Sequence, residues 1–178
     1  MKKIVPALIF AAIFMPACSK SGSEMVEICL AANSDGAAQN LNGDLNGVET
    51  AIRSSHELGL CLSSGLKLDA LHSNRLKAQA VLDFVSQQVT YKVDETGTKF
   101  PAKTLKDKEG DCEDYTALTG AVLFASKVDF YLINRPPVND GELGHIFLAI
   151  ETEEDTGMEC DGKRLEIGKR PAITSFIC

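Results

Sequence analysis

The residues whose types suggest chemistry are Cys112 and His145, which lie 33 positions apart. Cys112 stands in the acidic run Gly110-Asp111-Cys112-Glu113-Asp114, and His145 opens an alternating apolar stretch. A thiolate attacks carbonyl carbon, and an imidazole can accept the thiol proton and return it to the leaving group. The two residues therefore predict thiol-based acyl transfer, with Cys112 as the nucleophile and His145 as the general base.

The surroundings of Cys112 act on its ionisation in opposite directions. Asp111 is a good helix N-cap and Asp114 can complete a capping box, so Cys112 is predicted to be the first residue of a helix. The positive end of that helix favours the thiolate. Nearby carboxylates disfavour it, and they belong to Glu109, Asp111, Glu113 and Asp114. We therefore expect that the helix end is insufficient by itself and that a nearby imidazolium is needed.

A general base also needs a group that orients its ring, and an acidic side chain is the usual choice. In the predicted strand 164–167, the apolar residues should face the core, so Glu166 projects from the same type of face as His145 does on its own strand. If these two strands are neighbours, Glu166 can meet His145. Asp161 is the reserve candidate.

The elements that position these residues follow from periodicity and turn signals. Helices are predicted over 48–62, with Gly65 as the stop, over 69–89, with Asp69 as the cap, and over 114–126. The last of these is apolar on nearly every face, which indicates a central helix surrounded by protein. Strands are predicted over 129–134, 145–151 and 164–167, and a loop leads into Cys112. The fold class is therefore α+β, with helices followed by an antiparallel sheet.

The chain has six cysteines: Cys18, Cys29, Cys61, Cys112, Cys160 and Cys178. If Cys18 carries lipid and Cys112 stays reduced, four remain, which in an oxidising compartment suggests two disulfides. Four cysteines permit three pairings. We favour the local one, Cys29 with Cys61 and Cys160 with Cys178.

The N-terminus has the layout of an export signal. Residues 1–17 begin with two lysines and continue as a short apolar stretch, which is typical of a signal peptide rather than a membrane span. Met15-Pro16-Ala17-Cys18 resembles the bacterial lipobox, so Cys18 is the predicted lipidation site; ordinary cleavage nearby is the alternative. Ser19 resembles an outer-membrane sorting residue. We expect a protein on the periplasmic side of a bacterial membrane, anchored by lipid.

The charge excludes one class of partner. The net charge is −7, from 18 basic and 25 acidic residues, and the clustered Lys and Arg that phosphate binding requires are missing. Nucleic acid is therefore an unsuitable partner, and a protein or peptide substrate in the cell envelope is expected.

The motifs together resemble the bacterial transglutaminase-like superfamily over residues 68–168. They are Phe84-Val85, Tyr91, Pro101, Thr104-Leu105, Gly110-Asp111-Cys112-Glu113-Asp114, Leu118 and Gly144-His145-Ile146-Phe147-Leu148. The resemblance implies a papain-like core and a triad of Cys112, His145 and Glu166, although the third position is usually Asp in the family. It also implies that no cofactor is required. Some periplasmic relatives bind calcium beside the cysteine, so Asp111, Glu113 and Asp114 are calcium candidates, with a solvated acidic loop as the alternative.

The resulting prediction is a signal peptide over 1–17, a tether and helical segment over 18–66, and a transglutaminase-like core over 67–178. Relatives include proteases, amidases and a few protein cross-linkers, and the small size of this chain favours a protease or amidase. The alternatives are a cross-linking transglutaminase and a non-enzymatic envelope lipoprotein that uses the fold for binding or scaffolding.

Overall fold

The computed structural model describes residues 21–33, 40–94, 96–137 and 144–150, and the backbone of residues 176–177. The α-helices in these ranges are α1 (Gly22–Ala32), α2 (Leu45–Ser54), α3 (His56–Gly65), α4 (Asn74–Gln88), α5 (Pro101–Asp107) and α6 (Cys112–Ala125). The strands are β1 (Thr90–Tyr91), β2 (Glu109–Gly110), β3 (Phe130–Arg135), β4 (His145–Ile150) and β5 (Phe176–Ile177). β1 and β2 form a parallel pair, and β3, β4 and β5 form an antiparallel sheet in that order. The predicted α+β class, with extra N-terminal helices, is confirmed.

Helix α6 lies at the centre of the described structure. Its residues Ala117, Leu118, Ala121 and Val122 are fully buried, and α2, α3, α4, α5 and β4 pack around it. Each buried Leu or Val side chain contributes about 1.5–3 kcal/mol relative to an exposed one. The prediction of a central helix surrounded by protein is therefore confirmed.

The predicted helix over 48–62 is two helices. α2 ends at Ser54, and Ser55 leaves helical geometry before α3 begins, because serine competes for backbone hydrogen bonds and weakens a helix interior. α3 then runs very close to α6: a Cβ atom at Gly59 would lie 2.3 Å from the carbonyl oxygen of Ala121. The break at Ser55 and the missing side chain at Gly59 together allow α2 and α3 to pack on α6.

The start of α4 differs from the prediction at Asp69. Leu68–Ala70 forms a 3-10 turn, and α4 begins later, because the hydroxyl of Ser73 accepts a hydrogen bond from the amide of Leu76 (3.2 Å) and caps the helix. The predicted end at Val89 agrees with the structure, where Val89 is the C-cap.

The segment before Cys112 is more ordered than the predicted loop. Pro101 starts α5 at the first helical position, where its fixed φ is favourable. Lys108 ends α5 with a positive φ of 57°, and β2 then pairs with β1, with Tyr91 opposite Gly110. The expectation of a loop is therefore wrong: a helix and a parallel strand pair deliver the chain to Cys112.

Strands β3 and β4 are confirmed close to their predicted limits. They pair in antiparallel register, with Leu132 opposite Leu148 and Arg135 opposite His145. β5 pairs with the other edge of β4, with Ile177 opposite Leu148, and was not predicted. The predicted strand over 164–167 lies outside the described residues.

A disulfide joins Cys29 in α1 to Cys61 in α3, which confirms the first of the favoured pairs. The second pair, Cys160 with Cys178, lies outside the described residues, as do Cys18 and the predicted signal peptide over 1–17. Within the described part of the chain, no helix combines the length and apolar character that crossing a bilayer requires. The boundary between 66 and 67 stays a prediction.

Candidate active site

The acidic run at the start of α6 is one hydrogen-bonded unit. The Asp111 carboxylate accepts hydrogen bonds from the amides of Glu113 (3.2 Å) and Asp114 (3.4 Å), while the Asp114 carboxylate accepts one from the Asp111 amide (3.4 Å). This is the predicted capping box, with Cys112 as the first residue of the helix. Glycine at position 110 leaves space for the Asp114 side chain in the capping box, because a Cβ atom at that position would lie 2.6 Å from Asp114 Cβ.

Cys112 opens into a cavity of about 230 Å³. Its sulfur is half-buried and is a free thiol. The walls come from five separate parts of the chain, and the lining residues are Gly43, Tyr91, Val93, Asp94, Asp111, Cys112, Glu113, Asn134, Gly144 and Ile146. A cavity of this size accepts a side chain or a short extended segment rather than a folded surface.

The Cys112 thiol is held in its protonated form. Burial raises its pKa to about 11, and the negative charges of Glu113 and Asp111 add to the increase, whereas the backbone N–H groups of Ile146 and Glu113 act in the opposite direction. The thiol also donates to Glu113 Oε2 at 3.8 Å. This agrees with the expectation that the helix end alone does not ionise Cys112.

The Asp111 carboxyl group lies beside the thiol and has a raised pKa. Burial raises the pKa of Asp111 to about 7, and the hydrogen bond and charge of Glu113 contribute further. The ligand atoms of Asp111, Cys112 and Glu113 lie within 4.8 Å of one another, so these two carboxylates could hold a cation. Asp114, the third calcium candidate, uses both carboxylate oxygens in hydrogen bonds. Calcium binding stays a prediction.

His145 is the first residue of β4 and directly precedes Ile146, whose amide contacts the Cys112 sulfur. Its imidazole stacks on Phe147, with ring centroids 5.4 Å apart. Ile146 belongs to the opposite face, because side chains alternate along a strand, and it lies in the apolar cluster of Ala117 from α6. Gly144 and Ile146 line the cavity. The structure therefore joins Cys112 to β4 through the Ile146 amide, and the pairing of the sulfur with the imidazole stays a prediction.

The third member of the predicted triad, Glu166, lies outside the described residues, and so does its reserve, Asp161. The orienting role of Glu166 therefore stays a prediction as well.

The sequence did not predict the part that two charged residues, Lys99 and Asp94, take in the site. Lys99 is 5 % exposed, and its ammonium lies 2.6 Å from Asp94 Oδ2 and 2.9 Å from Asp114 Oδ2. No local signal marks this trio, because its members come from a turn, an extended segment and a helix. A buried lysine needs such partners, but only tertiary structure brings them together.

The segment before α2 also takes part in the site. The amide of Leu41 donates to the carbonyl of Thr98 (2.8 Å), and the Asn40 side chain donates to the carbonyl of Thr96 (3.0 Å). Gly43 abuts the site so closely that a Cβ atom there would lie 2.5 Å from Glu113 Oε1. The segment 40–43 therefore places Gly43 in the wall of the cavity.

Comparison with known protein families matches residues 62–156 to the Transglutaminase-like domain. The matched segment contains both Cys112 and His145, and it confirms the resemblance read from the motifs. Comparisons with curated proteins and with solved structures gave no match.

Proposed function

Because the chain belongs to the transglutaminase-like domain family, whose members generally have cysteine hydrolase or acyltransferase activity, we propose that it is a thiol-dependent acyl-transfer enzyme. Its most specific form is a cysteine protease or amidase that cleaves peptide or amide bonds. The observation that carries the proposal is the free thiol of Cys112 at the first position of a buried helix, opening into a cavity.

The proposed reaction proceeds in two steps. The sulfur of Cys112 attacks the carbonyl carbon, a carbon–sulfur bond forms, the carbon–nitrogen bond breaks, and the thiol proton is transferred through His145 to the leaving amine. Water then attacks the thioester carbonyl, the carbon–sulfur bond breaks, and the carboxylic acid is released as the thiol regains its proton. The Cys112 backbone N–H helps to stabilise the oxyanion, and Glu166 orients His145.

The protonated resting state requires a base at the moment of attack. With a pKa of about 11, the thiol must transfer its proton as the carbon–sulfur bond forms. We assign this role to His145, which follows Gly144 at the very start of β4.

The proposed setting is the cell envelope. The signal-like segment 1–17 and the lipobox-like sequence before Cys18 support export and a lipid anchor. The expected substrate is a protein or peptide of that compartment, and incorporation of a labelled fatty acid that Cys18→Ser abolishes would test the anchor.

The enzyme proposal is tested with p-nitrophenyl acetate as the acyl donor. We expect a stoichiometric burst of nitrophenolate and an acetyl group on the peptide that contains Cys112, measured by stopped-flow absorbance and mass spectrometry. Cys112→Ser should abolish the burst, and His145→Ala should slow it by about 100-fold or more, since general bases typically contribute 10²–10⁴-fold. His72→Ala, at an exposed histidine outside the cavity, is the matched control. A burst that survives His145→Ala unchanged would remove His145 from the mechanism.

The second candidate is a non-enzymatic module that uses the same cavity for binding. The raised pKa of Cys112 favours it, because a thiol that stays protonated is a poor nucleophile. An inert Cys112, with no acetyl group after prolonged incubation, is the outcome this candidate expects.

A further inference from the structure

Lys99 links two parts of the Cys112 site, which are the turn that contains Asp94 and the start of α6 that contains Asp114. It is 5 % exposed, and such burial would by itself lower the pKa of its ammonium group. The hydrogen bonds and charges of Asp94 and Asp114 outweigh burial and raise that pKa instead. Lys99 is therefore a cation between two carboxylates, with Asp94 Oδ2 at 2.6 Å and Asp114 Oδ2 at 2.9 Å.

One arm of this trio, the Lys99–Asp114 pair, connects to the start of α6. Asp114 is fully buried, and its Oδ1 accepts from the Lys99 amide at 2.7 Å. Its Oδ2 accepts from both the Lys99 ammonium and the Asp111 amide. Lys99 therefore determines the orientation of the carboxylate that completes the capping box immediately before Cys112.

The other arm, the Lys99–Asp94 pair, connects to another wall of the cavity. Asp94 lines the cavity, and its Oδ1 accepts from the amide (2.9 Å) and hydroxyl (2.6 Å) of Thr96. The carbonyls of Thr96 and Thr98 then accept the hydrogen bonds from Asn40 and Leu41 that hold the segment 40–43. The turn around Asp94 and the wall that contains Gly43 are thus one connected unit.

We propose that Lys99 is a positioning residue, which fixes the walls that contain Asp94 and Gly43 against the start of α6 and thereby sets the width of the Cys112 cavity. Its consequence for acyl transfer rests on the proposed function. Its consequence for the geometry of the cavity does not, so the two can be tested separately.

The geometric test is amide hydrogen exchange on the intact chain with its disulfide. In Lys99→Met, we expect exchange at Leu41, Thr96 and Asp111 to rise by about tenfold or more, while amides in the middle of α6, such as Leu118, change much less. Lys99→Arg keeps the charge and should restore most of the protection. Lys103→Met, which breaks the surface pair with Asp107, is the matched control and should leave these amides unchanged.

A second variant keeps the test decisive if Lys99→Met does not fold. Asp94→Asn weakens only the arm to the wall and leaves the Lys99–Asp114 pair in place. Exchange should then rise at Leu41 and Thr96 but not at Asp111. Equal increases throughout α6 in every folded variant would indicate general destabilisation, and unchanged rates at Leu41 and Thr96 would mean that no coupling exists; either result overturns the proposal.

The chemical test uses the nitrophenyl acetate burst. A misplacement of about 1 Å can cost on the order of 100-fold in rate, so Lys99→Met should lower kcat by about tenfold or more with little change in KM, and Lys99→Arg should recover it. A wild-type protein without a burst would refute the proposed enzyme while leaving the exchange result to decide the role of Lys99. A burst unaffected by Lys99→Met would refute the chemical consequence of the positioning role.

Discussion

At the scale of single residues, the most consequential feature is a nucleophile surrounded by carboxylates. Cys112 is half-buried, lies 3.8 Å from the Glu113 carboxylate and has a pKa raised to about 11. Burial and negative charge both favour the neutral thiol. Reactivity at neutral pH must therefore come from proton transfer during attack rather than from a standing thiolate.

Alkylation by iodoacetamide should report this environment. A pKa of about 11 leaves on the order of one thiol in 10,000 ionised at pH 7, so the rate at Cys112 should be low there and should climb until the pH approaches 11. Glu113→Gln removes a negative charge, lowers the pKa and should raise the rate at pH 7 by about threefold or more. The measurement is the pH profile of modification, read by mass spectrometry on the Cys112 peptide.

The control for this prediction is Glu109→Gln, because Glu109 is also close to Cys112 in the sequence but pairs with Lys92 on the surface. Its alkylation profile should match that of the wild type. Rapid alkylation of the wild type at mildly acidic pH would contradict the prediction and indicate a standing ion pair between Cys112 and His145.

At the scale of elements, the junction of β2 and α6 positions Cys112 and the carboxylates around it. β2 is held by β1, the capping box starts α6, and the fully buried side chain of Asp114 lies against Gly110. Because these contacts are close and mutually constrained, the junction has little space for an additional atom. Glycine at position 110 is therefore required by close approach.

Gly110→Ala should lower the free energy of unfolding. The new methyl group would lie 2.6 Å from Asp114 Cβ, and overpacking of this kind costs about 1–3 kcal/mol. Urea denaturation followed by circular dichroism measures the loss. Gly22→Ala is the comparison, since its methyl group would meet only the end of the flexible Gln88 side chain at 3.0 Å; equal stability of the two variants would argue against a constrained junction.

At the scale of the whole molecule, the segment before the family match is an integral part of the fold. The match begins at residue 62, yet Val48, Ala51 and Ile52 of α2 are buried in one cluster with Ala117 and Ile146. Gly43 lines the cavity. The N-terminal helices therefore complete both the core and the site.

The disulfide fastens this segment to the rest of the chain. It joins residues 32 positions apart, and closing a loop of that length in the unfolded chain stabilises the folded state by about 3–4 kcal/mol on the chain-entropy estimate. Replacing both Cys29 and Cys61 by Ala should reduce the free energy of unfolding by a comparable amount, measured by urea denaturation. Cys112→Ser keeps the disulfide and should remain near the wild type; equal stability of all three proteins would contradict the prediction.

Local interactions could be predicted from the sequence because they depend on a few neighbouring residues. The capping box of Asp111 and Asp114 and the placement of Cys112 followed from spacing, and the buried character of α6 followed from apolar residues on all its faces. The grouping of Ile146, Leu148 and Ile150 on one side of β4 followed from strand alternation. The Cys29–Cys61 pair was favoured among three possible pairings.

Tertiary structure alone decided the rest. The contact of Lys99 with Asp94 and Asp114, the pairing of β1 with β2 and the contribution of residues 40–43 join distant segments that carry no local signal. Tertiary packing also set the apolar face of β4 against α6, because burial of Ile146 and Leu148 is favourable there. That choice brings the Ile146 amide to the Cys112 sulfur and places the His145 ring with Phe147 on the other face.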